Sequence, residues 1–379
     1  MPEREHRATT ESQERLRPGE VLLFPKPGYF MQHVRYAGAL AIYRRYINPL
    51  DPNPSEVNLA VHEPQIQEHI RQYGFQEFHE YERKVITEYS DLLNGLIDAV
   101  GEDNLHLTNN SFSPSENTHT YTLEGRSTAY DNQVVHMQSI TFPAGFHAFP
   151  RDMFTQFGRT IFVNPWAFPR FRETNQYRKS RVGEGGMSVI AKNAIIFSEK
   201  LQEDKTAIRD IKALEQRGYK VAFVPPVIRE KQPPDRQEFA ENHIDGHCAL
   251  IMGKDKKLHL LFALSYAEQD RKTLRALVGA GRKVDAEMAA VQDSEMAHLD
   301  LNFIQLPDGS VVYPVTGRET TEGYLASGLD RALIDLVGGE NIIYVPSVVN
   351  MTRLTRAGLR CMTNTAPVNF LTYLARNAV

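Results

Sequence analysis

The sequence predicts a mixed α/β protein built from repeated modules, and two observations support this. A unit of β-hairpin, helix and strand recurs after about residue 150, and polar landmarks precede successive hairpins about 60 positions apart. Such units cannot each bury their apolar faces alone. We therefore expect them to pack side by side in one domain, with equivalent strand ends meeting at a shared centre.

Composition limits the classes of function. The chain has 379 residues, 41% hydrophobic and 24% charged, with a formal net charge of −4. This length allows a substantial core, and this charge gives no electrostatic reason to bind nucleic acid or an acidic membrane. We find no apolar run near the roughly 18 residues of a membrane helix, and no secretory signal. Two cysteines make no disulfide framework, so we expect a cytoplasmic protein. The oligomeric state is left open, with a homo-oligomer as one possibility.

The first part of the chain is less regular than the rest. Residues 1–18 are polar and charged and predict a mobile tail, with residues 19–379 forming the single domain. The elements predicted next are a strand at Val21–Phe24, a helix at Val85–Val100 that ends at Gly101, a strand around Leu105, and an irregular connection from Asn109 to Asp131.

Three copies of the module follow. The first has a hairpin at Ser188–Phe197, a helix at about Lys205–Arg217 and a strand at Tyr219–Val224. The second has a hairpin of Cys248–Met252 with Leu258–Leu264, and helical segments between Glu268 and Met296. The third has strands at Leu301–Leu306 and Val311–Tyr313, a helix near Leu329–Val337 and a strand at Ile342–Val345.

Cys361 is a candidate nucleophile that these modules would bring near other polar residues. Glu184, His243 and Asp300 precede the three hairpins at intervals of 59 and 57 positions, and Cys361 lies 61 positions further on. A lone cysteine is often only a small buried apolar residue. Here Arg356 and Arg360 are expected to lower its pKa, which would favour the reactive thiolate.

Five segments carry a resemblance to a known group of enzymes. They are FPRDMFTQFGRTIFVNP at 149–165, the stretch Arg170–Glu173, GEGGMSVIAKNAIIFS at 183–198, ENHIDGHCALIMG at 241–253 and GLRCMTN at 358–364. In this order they resemble the guanidino-group-modifying enzymes, which include arginine deiminases, dimethylarginine dimethylaminohydrolases and amidinotransferases. The resemblance extends over about residues 20–370. It implies the pentein fold, a five-bladed α/β propeller of ββαβ modules with pseudo-fivefold arrangement.

The resemblance implies a role for each motif residue, and elementary chemistry agrees. A guanidinium is planar and permanently charged, so carboxylates must hold its edges, a role that suits Asp152 and Asp245. Cys361 would attack the central carbon, and the bound cation would help to stabilise its thiolate. His243 would act as acid and then base, oriented by Glu184. No cofactor or metal is expected.

Several features leave the substrate open. Arg170, Arg172, Arg356 and Arg360 are candidates to hold a substrate carboxylate. Many relatives have an aspartate where this chain has Met187, and several glycines where it has Ala357-Gly358-Leu359, so the pocket is expected to differ.

Two further sequence patterns resemble parts of a site but are not favoured as functional. His298-Leu299-Asp300 repeats the His-x-Asp pattern but lies too close to Cys361 for a further module, so we expect His298 to be structural. His247 and Cys248 lie near His243, but no spaced cysteine or histidine set accompanies them, so zinc is not favoured.

Asp245 favours an unsubstituted guanidine such as arginine, because the dimethylarginine hydrolases lack an acid there. A covalent intermediate could be resolved by water or by an amine acceptor. Hydrolysis is slightly preferred, although Trp166, Arg170, Glu173 and Tyr177-Arg178 also resemble amidinotransferases. A non-catalytic binding module of the same fold is the third alternative.

Overall fold

One strand arrangement recurs throughout the fold. The computed structural model describes residues 15–25, 78–110, 139–142, 150–228, 240–241, 243–291, 301–314, 328–346 and 358–377, with four single positions between 68 and 76. No helix in these ranges is both long and apolar enough to cross a membrane.

The N-terminal elements form a parallel arrangement. They are β1 at Glu20–Pro25, α1 at Phe78–Val100, β2 at Leu105–Asn110 and β3 at Ser139–Phe142. Strand β1 pairs in parallel with β2, and β2 in parallel with β3. The predicted strand at Val21, the helix ending at Val100 and the strand at Leu105 are confirmed, although the helix begins seven residues earlier than predicted.

Helix α1 forms because its apolar side chains recur on one face. Val85, Tyr89, Leu92 and Leu96 are all buried in one cluster with Leu22 and Phe24 of β1. The Tyr89 hydroxyl donates to the main-chain oxygen of Pro25 at 2.8 Å. This bond satisfies a buried hydroxyl and fixes the helix against the end of β1.

The rest of the chain forms four modules and a closing segment. The elements are α2 at Pro150–Met153, β4 at Phe154–Phe157, β5 at Thr160–Val163, β6 at Tyr177–Lys179, β7 at Ser188–Ala191, β8 at Ala194–Ser198, α3 at Lys205–Gln216, β9 at Lys220–Val224, β10 at Val227–Ile228, β11 at Ala240–Glu241, β12 at Cys248–Met252, β13 at Leu258–Ala263, α4 at Leu264–Glu268, α5 at Arg271–Val284, β14 at Ala286–Val291, β15 at Ile304–Gln305, β16 at Val311–Pro314, α6 at Gly328–Val337, β17 at Ile342–Val345, α7 at Leu359–Met362, β18 at Asn364–Pro367 and α8 at Val368–Asn377.

Each module has an antiparallel hairpin whose second strand pairs in parallel with a third strand. This order holds for β4-β5-β6, β7-β8-β9, β12-β13-β14 and β15-β16-β17. In the fifth sheet β18 pairs antiparallel with β1, with Glu20 opposite Pro367, and β1 continues in parallel to β2. The two ends of the chain therefore share one module. The predicted α/β class and ββαβ module are confirmed, while the arrangement about a pseudo-fivefold axis stays a prediction.

The second repeat copy differs from its prediction. Helical chain was expected as far as Met296, but α5 ends at Val284 and Ala286–Val291 is strand β14, parallel to β13. Asp285 ends the helix in the left-handed conformation, with a φ of 59°. Residues 292–300 lie outside the described residues.

The predicted tail reaches the body of the fold before residue 18. Leu16 is buried, and the Arg15 guanidinium donates to the main-chain oxygen of Ala99 at 2.7 Å. Residues 1–14 and most of the predicted irregular connection at 109–131 lie outside the described residues, so the mobility of the tail stays a prediction.

Candidate active site

The segments that precede the hairpins carry the predicted site residues. Asp152 lies in α2 before β4, Glu184 before β7, His243 and Asp245 before β12, and Cys361 in α7 before β18. Four modules with the same strand order thus supply these side chains from equivalent positions. The contacts described below bring them together, as the repeat predicts.

Glu184 and His243 form a hydrogen-bonded pair. Glu184 Oε1 lies 3.0 Å from His243 Nε2, and the Arg181 guanidinium lies 3.5 Å from Glu184 Oε2. Burial opposes ionisation of Glu184, but the hydrogen bond and charge of His243, together with Arg181, outweigh it and lower the carboxyl pKa. Glu184 is therefore ionised at neutral pH.

His243 is surrounded by carboxylates. Burial lowers its pKa, but the charge of Asp152, the hydrogen bond and charge of Glu184 and the charge of Asp245 outweigh burial and raise the pKa to about 10. The imidazole therefore carries a proton at neutral pH. Since about a third of the side chain is exposed, this proton can be donated to a bound molecule.

The two glycines after Glu184 are required by close packing. A Cβ at Gly186 would lie 2.4 Å from His243 Nδ1, and a Cβ at Gly185 would lie 2.3 Å from the main-chain oxygen of Arg151. The Gly186 amide also donates to Asp152 Oδ1 at 3.3 Å. The Glu-Gly-Gly motif therefore brings Glu184, His243 and Asp152 together rather than serving only as a turn.

Asp152 sits among groups of both signs. Burial, opposed by the charge of His243 and reinforced by Glu184 and Asp245, raises its pKa to about 6. Its carboxyl group is therefore mostly ionised at pH 7 and becomes neutral in mild acid.

Asp245 is buried between two guanidinium groups. Its side chain is 2% exposed, and Oδ2 lies 3.6 Å from Arg151 Nε and 3.9 Å from Arg360 Nε. Within the described residues, neither Asp245 Oδ2 nor Arg151 Nε has a hydrogen-bond partner. The carboxylate thus has an unused acceptor. Arg360, predicted to hold a substrate carboxylate, lies beside this acid, and burial lowers its pKa to about 10.

Cys361 is partly exposed at the end of this cluster. Asn302 Nδ2 donates to its sulfur at 3.4 Å. Burial, followed by the charges of Asp245 and Asp152, raises the thiol pKa to about 12. Arg360 attracts the thiolate, as expected, but the thiol pKa is not lowered overall, because burial and the two carboxylates outweigh the opposing groups. Arg356, the other arginine expected to contribute, lies outside the described residues.

Sequence reasoning missed two polar residues of the cluster, Asn302 and Arg181, which contact Cys361 and Glu184 respectively. Arg151 was singled out with Asp152 but given no role, and it lies beside Asp245. Asn302 had a usable signal, because it lies 59 positions from both His243 and Cys361, the same interval as between Glu184 and His243. The landmark chosen instead, Asp300, lies outside the described residues, as does His298.

Other predicted candidates lie apart from the cluster. Arg170 and Arg172 are exposed, and within the described ranges neither side chain forms a hydrogen bond or ion pair with Cys361 or Asp245. Arg170 as a substrate-binding residue therefore stays a prediction. Met187 is fully buried, and its sulfur lies 3.5 Å from the Arg181 guanidinium. Met187 therefore contacts an arginine that pairs with Glu184.

One side-chain group elsewhere has the composition of a metal site. Potential ligand atoms of Asp255, His259 and Glu287 lie within 4.8 Å of one another. However, the two nitrogens of His259 face different carboxylates, and the Lys257 ammonium contacts Glu287. This arrangement fits an ion-pair network better than a metal centre, which needs its donors directed at one point.

The comparisons with known proteins find similar solved structures but no similar sequence. No family model matches the chain, and no curated protein sequence is similar to it. A solved structure of C. jejuni agmatine deiminase is 12% identical, with a TM-score of 0.48, over 76% of this chain and 88% of that one. The amidinotransferase SxtG from Microseira wollei is 11% identical, with a TM-score of 0.39, over 75% and 83%.

A third structure, the DDAH from Pseudomonas aeruginosa, is 14% identical, with a TM-score of 0.37, over 69% of this chain and 98% of that one. Because all three identities are low, we infer the chemistry from this chain's own residues.

Proposed function

We propose that this protein is a cysteine-dependent enzyme that hydrolyses an unsubstituted guanidine, such as that of arginine, through a covalent intermediate on Cys361. The observation that carries the proposal is the convergence of one cysteine, one protonated histidine paired with a carboxylate, and two further carboxylates, of which Asp245 is buried. Arg151 and Arg360 lie near Asp245, yet its Oδ2 accepts no hydrogen bond within the described residues, so this group still offers an acceptor to a further N–H donor. A planar cationic substrate is the natural partner of such a group.

The carboxylates define how the substrate binds. Asp152 is ionised at neutral pH, and Asp245 Oδ2 has an unused acceptor, so each can accept N–H bonds from an edge of a guanidinium. Cys361 belongs to the same cluster, because Asp152 and Asp245 both raise its thiol pKa. A cation held by these acids offsets their charge and favours the thiolate.

The first half-reaction forms a carbon–sulfur bond. The Cys361 thiolate attacks the central carbon, and the π electrons of a C=N bond move to nitrogen to give a tetrahedral intermediate. His243 donates its proton to the departing nitrogen, the C–N bond breaks, and ammonia leaves. An amidino-thioether on Cys361 remains.

The second half-reaction uses water. His243, now neutral, takes a proton from water, and the hydroxide attacks the thioether carbon. Collapse of the intermediate breaks the carbon–sulfur bond, the hydroxyl proton passes to solvent as the C=O bond forms, and a ureido product and the Cys361 thiolate are released. Glu184 stabilises the imidazolium each time it forms, because its carboxylate lies 3.0 Å from Nε2.

Three of the five residues cited for amidino transfer make structural contacts. Tyr177 is buried in the core, the Arg178 guanidinium lies 3.0 Å from Asp210, and Glu173 accepts from the Lys179 amide at 2.8 Å. These contacts explain the three side chains by their place in the fold, with no need for a bound acceptor amine. For this reason we prefer hydrolysis.

Product analysis tests the proposal. The protein is incubated with arginine alone and with glycine, lysine or ornithine, and the products are identified by mass. We expect citrulline and ammonia in each case, with loss of turnover in Cys361→Ala and retention in Cys248→Ala, which removes the other cysteine. Ornithine together with a new guanidine would indicate transfer. Absence of turnover, with Cys361→Ala binding guanidines as the wild type does, would favour a binding module.

A further inference from the structure

We propose that Asn302 is a positioning residue for the nucleophile, whose side-chain amide holds the Cys361 sulfur as a hydrogen-bond acceptor and thereby favours the thiolate. This inference rests on the proposed role of Cys361. It adds a residue that has no titratable group and that the motifs do not include.

The backbone determines the orientation of the Asn302 amide. The main-chain N–H groups of Arg360 and Cys361 both point at one end of it, at 2.5 and 3.4 Å. Two donors require an acceptor, so that end must be the oxygen. The NH₂ end then necessarily faces the Cys361 sulfur, 3.4 Å away. The sulfur is therefore the acceptor of this hydrogen bond, and a negatively charged sulfur is a stronger acceptor than a neutral thiol.

The same amide fixes the position of the sulfur. Asn302 is 1% exposed, and its main-chain oxygen also accepts from the Arg360 amide, at 3.3 Å. One buried side chain thus holds both the start of α7 and the reacting atom. The bond matters chemically because the carboxylates of Asp245 and Asp152 disfavour a negative sulfur, and Asn302 is one of the groups that oppose them.

The repeat gives Asn302 a place equivalent to the other site residues. Glu184 with His243, and Asn302 with Cys361, are each pairs separated by 59 positions whose side chains contact each other. Asn302 also precedes the hairpin β15-β16, as Glu184 precedes β7-β8. The fourth module therefore contributes to the cluster through Asn302.

Gly358 provides room for this arrangement. A Cβ at position 358 would lie 2.6 Å from Asn302 Oδ1 and 2.8 Å from its Cγ, while the backbone at φ −117° and ψ −170° is open to any residue. An alanine here would therefore disturb Asn302 without straining the main chain.

Thiol alkylation tests the inference without any substrate. Iodoacetamide labelling of Cys361 is followed by peptide mass mapping from pH 6 to pH 11 in the wild type, Asn302→Asp, Gly358→Ala and Asn193→Asp. Asn302→Asp keeps an oxygen for the two amides but replaces the donor that faces the sulfur. We expect at least about a tenfold slower labelling at each pH in this range, because the fraction of thiolate is smaller. Gly358→Ala should shift in the same direction.

Asn193→Asp is the matched control, because Asn193 is an exposed hairpin residue whose side-chain amide donates to the Gly218 oxygen. It should label as the wild type does. Thermal unfolding shows whether each variant folds. If Asn302→Asp does not fold, the labelling of Gly358→Ala decides the test. A folded Asn302→Asp or Gly358→Ala with the wild-type labelling profile would overturn the inference. Because no guanidine is involved, this result is independent of whether the proposed hydrolysis occurs.

Discussion

Replacing Glu184 by glutamine tests whether the carboxylate keeps His243 protonated. The substitution preserves the size of the side chain and an oxygen that can face His243 Nε2, but it removes the negative charge 3.0 Å away. The Glu184 hydrogen bond and charge are among the causes that raise the His243 pKa to about 10. Its loss must therefore lower that pKa.

The size of the effect follows from the type of interaction. A hydrogen bond between charged partners contributes about 1.5–3 kcal/mol, and about 1.4 kcal/mol corresponds to one pKa unit. We therefore expect the His243 pKa to fall by about one to two units in Glu184→Gln. Asp152 and Asp245 still raise it, so the imidazole should titrate above its ordinary value.

The assay has a direct and a kinetic form. The imidazole carbon protons of His243 are followed by NMR against pH, with the resonance assigned by its absence in His243→Gln. In parallel, the alkaline limb of the turnover profile should move to lower pH by the same interval, since the acid form of His243 protonates the leaving nitrogen.

A matched variant separates this effect from a general loss of charge. Glu173→Gln changes an exposed glutamate that accepts from the Lys179 amide, and it should leave the His243 titration unchanged. A His243 pKa that stays near 10 in Glu184→Gln, in a folded protein, would refute the reasoning about this pair.

Three further predictions concern the other groups of the cluster. Gly186→Ala should lower turnover at least about tenfold, because the new Cβ displaces the His243 ring. Gly279→Ala is the control: it has open space in α5 and should raise the free energy of unfolding by about 0.5–1 kcal/mol. Equal turnover in the two variants would contradict the prediction for Gly186. Asp245→Asn should lower the free energy of unfolding in urea by about 3 kcal/mol, because it leaves Arg151 and Arg360 buried without their acid; a change under about 0.5 kcal/mol would show that the pair contributes little. KM should rise as pH falls through about 6, where Asp152 takes up a proton and loses its attraction for a cation, and Asp152→Asn should show a high KM without this dependence.

Local patterns were sufficient to predict much of the fold. Helix α1 and the hairpins of the repeat follow from apolar spacing and turn residues, and the structure contains them, although α1 begins seven residues before its predicted start. Strand β14 was missed because Ala286, Glu287, Met288 and Ala289 favour helix, and parallel pairing with β13 overrides that preference. The pairing of β18 with β1 joins the two ends of the chain, and no local pattern encodes it.

The candidate site was predictable where its residues carry titratable groups. Glu184 and His243 were found through their chemistry and their interval, and the structure joins them by a hydrogen bond. Asn302 was missed because an amide does not stand out in a search for acids, bases and nucleophiles. The high thiol pKa of Cys361 was also missed, since it depends on burial and on the distances to Asp245 and Asp152.

The central claim is that Cys361 carries the reacting carbon during turnover. The most direct measurement is acid quenching of the protein within milliseconds of mixing with arginine, followed by peptide mass mapping. We predict an added mass on the peptide that contains Cys361. This adduct should decay as the ureido product accumulates, and Cys361→Ala should show neither adduct nor turnover. Turnover of arginine by Cys361→Ala at the wild-type rate would contradict the account.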